Sequence, residues 1–252
     1  MLQTVALLVA AVRGVRRLGP PARRMLLRVV TRQVLFTGVE AVPLVALIAA
    51  VVGVLVIVQS AASLPDIGQS ELMCELLVFF ILKELGPILV AFVVAARSGA
   101  AIAAELATMT VRGEIDGLQG TGVDPLAYLV LPRVTGVAVA VASLTVVFNV
   151  VAFLGGFGFA AASRATLTFV GLTGTLFRAM EVGDILVSVV KSLLLGAAIA
   201  GICAKHGLSA GRAPTDIPRV TLRAVVSTLI ACTAIEVLVT LVTTDFRSVV
   251  GG

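Results

Sequence analysis

The sequence predicts an all-α integral membrane protein with about five transmembrane helices and an amphipathic, interfacial helix at its amino-terminal end. Hydrophobic residues make up 59% of the 252 residues and charged residues only 13%, with a mean hydropathy of +1.13. A soluble domain is about 45–50% apolar and about 25% charged. The long apolar runs lack the alternation of apolar and polar residues that is typical of a transmembrane β-barrel. We therefore predict a basic leader, residues 1–38, followed by one transmembrane domain, residues 39–252.

Within the leader, arginines recur every four residues at Arg24, Arg28 and Arg32, and apolar residues recur with the same period on another face. A helix with one cationic and one apolar face is suited to lie in the lipid interface. The leader is therefore predicted to rest on the membrane surface. The alternative is a simple topology anchor, and the two are compatible.

Five apolar runs follow, and each is long enough for a helix that crosses the bilayer, which takes roughly 20 residues. We predict spans near residues 41–58, 76–96, 134–162, 185–204 and 224–244. The third run is longer than one crossing requires, which indicates a tilted helix or one that extends beyond the membrane.

The distribution of basic residues orients these spans. Seven arginines precede the first span, and further basic residues flank the second and third spans and fill the connection between the fourth and fifth. Because cytoplasmic connections carry the excess of Lys and Arg, we predict a cytoplasmic amino terminus and a periplasmic carboxyl terminus.

The polar connection between the second and third spans contains a predicted amphipathic helix, residues 105–118. Its apolar side chains can share one face, while its charged side chains project elsewhere. The residues predicted to couple this helix to another protein are Glu105, Leu106, Met109, Glu114, Ile115, Asp116 and Leu118. A helix this short is marginal in isolation, which favours a supporting partner. The alternative is a solvated loop without a partner.

Four ionisable residues fall inside the predicted spans: Lys83, Glu84, Lys191 and Glu236. At about 1.5 Å per residue, all four lie roughly 9–12 Å below the outer surface. Charges at this depth are costly in lipid, so we predict that they border a cavity open to the outside, with Lys191 near Glu236. Lys83 and Glu84 are about 100° apart on a helix, so one should face the cavity and the other a neighbouring helix. Purely structural ion pairs are the alternative.

Several chemistries have no basis in the sequence. The chain has no GxxxxGK[ST] loop for ATP, and it has a single histidine, His206. Its cysteines, Cys74, Cys203 and Cys232, lack the spacing of a metal site. We therefore predict no catalytic residue, no metal ligand and no cofactor bound by this chain, and we expect no nucleic-acid partner.

The segment between the second and third spans also carries an ordered series of motifs. It reads KELGPILVAFVVAARSGAAIAAELATMTVRGEIDGLQGTGVDPLAYLVLPR, from Lys83 to Arg133. This series resembles the MlaE/YrbE family of ABC-type lipid-transporter permeases, which show (R/K)ELGP, a GR-G-A run leading to AE(L/I)-TM, EEID-L, G-(D/N)P and L-PR at the same spacing. The chain departs from that pattern at Lys83, where arginine is common, at Gly113, where a glutamate or other polar residue is usual, and at Thr121, where methionine is usual.

The resemblance implies the transmembrane subunit of an ATP-driven transporter that moves lipids, phospholipids above all, in the inner membrane of a bacterium. It implies a homodimer, a separate ABC ATPase subunit that uses the ATP, and an extracytoplasmic lipid-binding protein with an MCE domain. Small residues four apart, at Ala100 and Ala104 and at Ala197 and Gly201, would permit close helix contacts in such a dimer or inside one chain. The alternative function is a stand-alone lipid carrier driven by an ion gradient.

Overall fold

The structure is a computed structural model that describes residues 35, 37–63, 78–122, 124–163, 180 and 182–250. Within these residues every regular element is a helix, which confirms the predicted fold class. The predicted leader, residues 1–38, lies almost entirely outside the described residues. The elements in chain order are α1 (Val42–Ser63), a first π-helical segment (Val78–Leu85), α2 (Gly86–Val94), a second π-helical segment (Ala95–Gly99), α3 (Ala100–Val111), α4 (Glu114–Gly120), a third π-helical segment (Leu126–Val130), α5 (Leu131–Ser163), α6 (Val182–Leu208) and α7 (Asp216–Val250).

Five helices of the described residues are long and apolar enough to cross a membrane, as predicted. Their bounds are Thr37–Gln59, Phe79–Val111, Leu126–Ala160, Gly183–Leu208 and Asp216–Thr243. The last two extend further than predicted into the basic connection, so that only residues 209–215 link α6 to α7. The last four of these helices are 26 to 35 residues long. A perpendicular crossing needs roughly 20 residues, so these helices are tilted or extend beyond the bilayer.

The second span differs most from its prediction. It was expected to end near residue 96, because Arg97 is charged, but the helix continues to Val111. Arg97 is accommodated because its guanidinium pairs with the carboxylate of Glu40, beside the start of α1. The many small residues after it let the helix continue against its neighbours, and Ala103 and Ala107 are fully buried.

The predicted single helix over residues 105–118 is therefore wrong. Its first half is the end of α3, and the chain then turns at Arg112 and Gly113 before α4 begins. Gly113 has a φ angle of 73°, a left-handed conformation that glycine adopts without the steric cost of a side chain. The glycine that departs from the family pattern is thus the residue that divides the predicted helix.

α5 is the central helix of the bundle. It packs against α1 on one side and against α6 on the other, while α6 also packs against α3 and α7. Phe148 and Phe157 of α5 are almost completely buried at these contacts. The outward faces of α1 and α7 expose large apolar side chains, including Leu47, Leu55, Ile230 and Leu238, which is the pattern expected of surfaces that contact lipid.

Glycines bring α1 and α5 into close contact. A Cβ atom placed on Gly156 of α5 would lie 2.9 Å from the carbonyl oxygen of Gly53 in α1, whereas one on Gly158 would have no neighbour within 4 Å. Gly156→Ala is therefore expected to lower the free energy of unfolding by about 1–3 kcal/mol, because backbone must move to admit the methyl group. Gly158→Ala is the matched control, and it should be neutral or slightly stabilising, because Ala is the better helix former. Thermal unfolding of both variants in the same detergent compares them, and equal melting temperatures would contradict the close contact.

Candidate functional site

Lys191 lies at the centre of a cluster of charged side chains between the second, fourth and fifth spans, and only 1% of its side chain is exposed. Its Nζ atom lies 2.9 Å from Oε1 of Glu236, which confirms the predicted proximity of these two residues. It also donates to the main-chain carbonyl oxygen of Lys83 at 2.8 Å and to Oγ1 of Thr240 at 3.0 Å. An ammonium group has three N–H donors, and the three hydrogen bonds of Lys191 go to these two oxygens and to Oε1 of Glu84 at 3.4 Å, whereas Glu236 pairs with it as an opposite charge.

Three further ionisable groups complete this set, which we call the charged cluster: Lys83, Glu84, Asp184, Lys191 and Glu236. Oε1 of Glu84 lies 3.4 Å from the ammonium of Lys191, and both carboxylate oxygens of Glu84 accept from Thr240 at 3.1 Å. Lys83 forms its own ion pair with Asp184, with 2.8 Å between Nζ and Oδ1. The cluster thus joins two ammonium groups to three carboxylates, and both carboxylate oxygens of Glu236 are buried with no hydrogen-bond partner among the described residues.

Asp184 was not among the predicted site residues. It is 4% exposed, near the start of α6, and it precedes Lys191 by seven residues, which places both on one face of that helix. The seven-residue spacing was therefore a signal that could have found it. Sequence reasoning instead assigned Asp184 to the end of a connection.

A cavity of about 220 Å³ opens beside the cluster. Lys83 and Glu84 both line it, so the prediction that one of them faces a neighbouring helix is wrong. The reason is local, because both residues lie in the first π-helical segment, whose wider i→i+5 turn advances each residue by less than the 100° of an α-helix. Glu236 does not line the cavity, contrary to prediction, but lies behind Lys191 and is 5% exposed. The lining residues are Phe79, Lys83, Glu84, Asp184, Val187, Lys191, Thr240 and Thr243.

Hydroxyl groups continue the polar character of the cluster into the interface of α5 and α6. Oγ of Ser192 donates to the carbonyl oxygen of Ser188 at 2.7 Å and lies 3.0 Å from Oγ1 of Thr145 in α5. Hydrogen bonds between helices stabilise their packing in lipid. These contacts hold α6, and hence Asp184 and Lys191, against the central helix.

The opposite end of the bundle carries a groove of about 430 Å³ between α3, α4 and the third π-helical segment. Its walls are apolar at Met109, Leu118 and Leu129, and Tyr128, the single tyrosine of the chain, is about half exposed beside them. Tyr128 was missed by the sequence analysis because it lies beyond the predicted helix. The lining residues are Met109, Glu114, Gly117, Leu118, Thr121, Tyr128 and Leu129.

The residues predicted to contact a partner here divide into two groups. Met109, Glu114 and Leu118 line the groove, whereas Leu106 and Ile115 are buried in the chain itself. The prediction that Ile115 contacts a partner is therefore wrong, because Ile115 is buried and anchors α4 to the bundle. The remaining two carboxylates face basic side chains, Glu105 at 3.0 Å from Arg133 and Asp116 at 3.9 Å from Arg212. In the described residues, no three or more His, Cys, Asp or Glu side chains gather in a group that could hold a metal ion.

A known protein family and several known proteins are similar to this chain over most of its length. The model of the family described as Permease MlaE matches residues 30–242. A probable ABC transporter permease protein of Rickettsia felis is 31% identical over 221 residues, 88% of this chain and 83% of that protein. The intermembrane phospholipid transport system permease protein MlaE of Haemophilus influenzae is 23% identical over 229 residues, 88% of this chain and 85% of the relative. The chloroplastic protein TRIGALACTOSYLDIACYLGLYCEROL 1 of Arabidopsis thaliana is 29% identical over 199 residues, 77% of this chain and 55% of the plant protein.

Proposed function

Because this chain belongs to the MlaE permease family of ABC transporters, we propose that it is the non-catalytic membrane subunit of a machine that moves lipids at the expense of ATP. Its cargo is a phospholipid, exchanged between the inner membrane of a bacterium and an extracytoplasmic lipid carrier with an MCE domain. A separate ABC ATPase subunit binds and hydrolyses the ATP. Two copies of the chain form the membrane part.

The observation that carries this proposal is the continuity of the second span. One helix of 33 residues, Phe79–Val111, contributes Lys83 and Glu84 to the cavity at one end and Met109 to the groove at the other. Its length is about 50 Å. A continuous helix that borders both sites can transmit a displacement from one to the other, which is what an ATP-driven transporter requires.

The groove supports docking of the ATPase. Its apolar centre is the kind of surface in which a partner buries a large side chain, and its rim carries Glu114, with Asp116 nearby. Both acidic groups already face arginines of this chain, Arg112 at 3.7 Å and Arg212 at 3.9 Å, so the apolar centre is the part of the groove that would attract the partner. α4 is short and held to the bundle by Ile115, so movement of the partner would be passed directly to α3.

The cavity supports contact with the polar part of a lipid. Its volume of about 220 Å³ is below the roughly 300–1,000 Å³ of pockets that enclose a drug-sized ligand, so it suits a head group better than a whole lipid. The acyl chains would lie against the apolar sides of the spans. Lys83 and Glu84, the most exposed ionisable residues of the cavity, are the groups that such a head group would meet first.

The distribution of charge supports an orientation with the groove in the cytoplasm. Arg112, Arg133, Lys205 and Arg212 all lie at the end of the bundle that holds the groove. The cavity then opens toward the periplasm, where the carrier would bind. The amino terminus is cytoplasmic and the carboxyl terminus periplasmic in this arrangement.

Some of the small residues that could form the interface of the homodimer pack within one chain instead. Ala197 packs against the core, and α6 approaches α3 so closely that a Cβ on Gly207 would lie 2.8 Å from the carbonyl oxygen of Ala103. Gly201 is buried as well, whereas Ala100 and Ala104 of α3 are partly exposed, so this second pair is the one available to a helix of another copy. Native mass spectrometry of the complex counts the copies, and a single copy in an active complex would refute the dimer.

A reconstituted transfer assay tests the proposed function. Proteoliposomes that contain this chain, its ATPase and its MCE-domain protein are expected to transfer fluorescent phospholipid between carrier and membrane only while ATP is hydrolysed. An ATPase variant unable to hydrolyse ATP is the control. Transfer by the chain alone under an imposed ion gradient, without ATPase or ATP, would instead identify a secondary carrier.

A further inference from the structure

One of the three acceptors around Lys191 is unusual because it belongs to the backbone of a helix. The carbonyl oxygen of Lys83 receives the ammonium of Lys191 at 2.8 Å. In an α-helix this carbonyl would accept the N–H of the residue four positions later, and here that residue is Pro87, which has no N–H. Pro87 thus offers no N–H to this carbonyl, and a side chain from another span donates to it.

The local geometry leaves this carbonyl accessible. A proline ring clashes with the carbonyl four residues before it when the helix is regular, and the turn that precedes Pro87 is π-helical rather than α-helical. Gly86 brings the same turn onto α5, since a Cβ there would lie 2.6 Å from Oδ1 of Asn149 and 2.7 Å from the carbonyl oxygen of Ile81. The turn is therefore pressed against α5 while the carbonyl of Lys83 accepts from Lys191 of α6.

We propose that Pro87 is a positioning residue for the cavity. Because Pro87 has no N–H, the carbonyl oxygen of Lys83 stays available as the third acceptor for the ammonium of Lys191. A neutral carbonyl completes the coordination of the ammonium without a further carboxylate in a cluster that already has three. Lys191 is thereby held beside Glu84, and the Lys83 side chain is left to pair with Asp184. The role of this arrangement in contacting a head group rests on the proposed function, but the positioning itself does not.

The test compares two residues at position 87 that differ only in the N–H group. Pro87→Ala restores the N–H, whereas Pro87→lactic acid, an α-hydroxy acid introduced by nonsense suppression, gives the same methyl side chain on a backbone ester without an N–H. Reductive methylation of the purified protein in nanodiscs, read by mass spectrometry, reports how firmly each lysine is held. The chain has only three lysines, and Lys205 serves as the internal reference for Lys83 and Lys191.

Methylation of Lys191 relative to Lys205 is expected to rise about tenfold in Pro87→Ala, because a hydrogen bond to a charged group is lost. The lactic acid variant should return to the level of the parent. Pro132→Ala, which changes another buried proline in the first turn of a helix, should leave Lys191 unchanged. Equal methylation of Lys191 in the alanine and lactic acid variants would overturn the proposal. Failure of both variants to fold would also overturn it, because the proline ring and not the absent N–H would then be required. No ATPase or lipid transfer enters this assay, so its result is independent of the proposed function.

Discussion

Lys191→Met is expected to destabilise the folded protein by about 3–5 kcal/mol, the largest effect of any single change in the cluster. The substitution removes the one cation that contacts both Glu236 and Glu84, and it leaves a carboxylate that is 5% exposed without a countercharge. Breaking a buried ion pair by removing one partner has a cost of this order. The change in unfolding free energy, followed by denaturant titration in mixed micelles, measures it.

A double variant distinguishes the loss of charge balance from loss of packing. Lys191→Met combined with Glu236→Met should recover much of the stability, because neither member of the pair then remains as an isolated buried charge. Exchange of the two charges should rescue poorly, since a carboxylate at position 191 would face Glu84 and the carbonyl oxygen of Lys83. If Lys191→Met alone matched the parent in stability, the ion pair would not hold the spans together.

Leu118→Asp is expected to weaken binding of the ATPase subunit by about thirtyfold, equivalent to about 2 kcal/mol at a central apolar contact. Leu118 lines the groove and is partly exposed, so a charge there removes apolar contact area without entering the core of the chain. Ile115 would be a poor choice for this experiment, because it is 8% exposed and a charge at that position would act on the fold. Titration of the ATPase in detergent gives the affinity, and ATPase stimulation gives the coupling.

Gln119→Asp is the matched control for this experiment. It adds the same charge at the neighbouring position of α4, which is exposed and does not line the groove. Binding should remain within about threefold of the parent, as is usual for a charge at the rim of an interface. An equal loss in both variants would point to a general effect of charge on α4, and unchanged binding in Leu118→Asp would show that the groove is not the docking site.

The sequence by itself determined the class of protein and the pairing of Lys191 with Glu236. Five spans could be located because hydrophobicity is a local property of the sequence. The apolar segment that crosses a bilayer also has a nearly constant length. Lys191 and Glu236 could be paired because the rise per residue gives the depth of each residue in the membrane. Opposite charges at the same depth are costly in lipid unless they form a pair. The motif series from Lys83 to Arg133 identified the family for a related reason, since its residues are close in sequence.

The tertiary structure alone decided which way the side chains face. Lys83 and Glu84 share the cavity because a π-helical turn changes the angle between neighbours, and no hydrophobic pattern reports that change. The predicted helix over residues 105–118 is divided because Gly113 adopts a left-handed conformation, and Ile115 is buried because α4 is then tied back to the bundle. Asp184 joins Lys83 only because α6 packs beside the first π-helical segment. The first of these outcomes and the division at Gly113 are local backbone conformations that a hydrophobic pattern does not report. The burial of Ile115 and the pairing of Asp184 instead depend on how one helix packs against another, which is determined by residues far apart in the sequence.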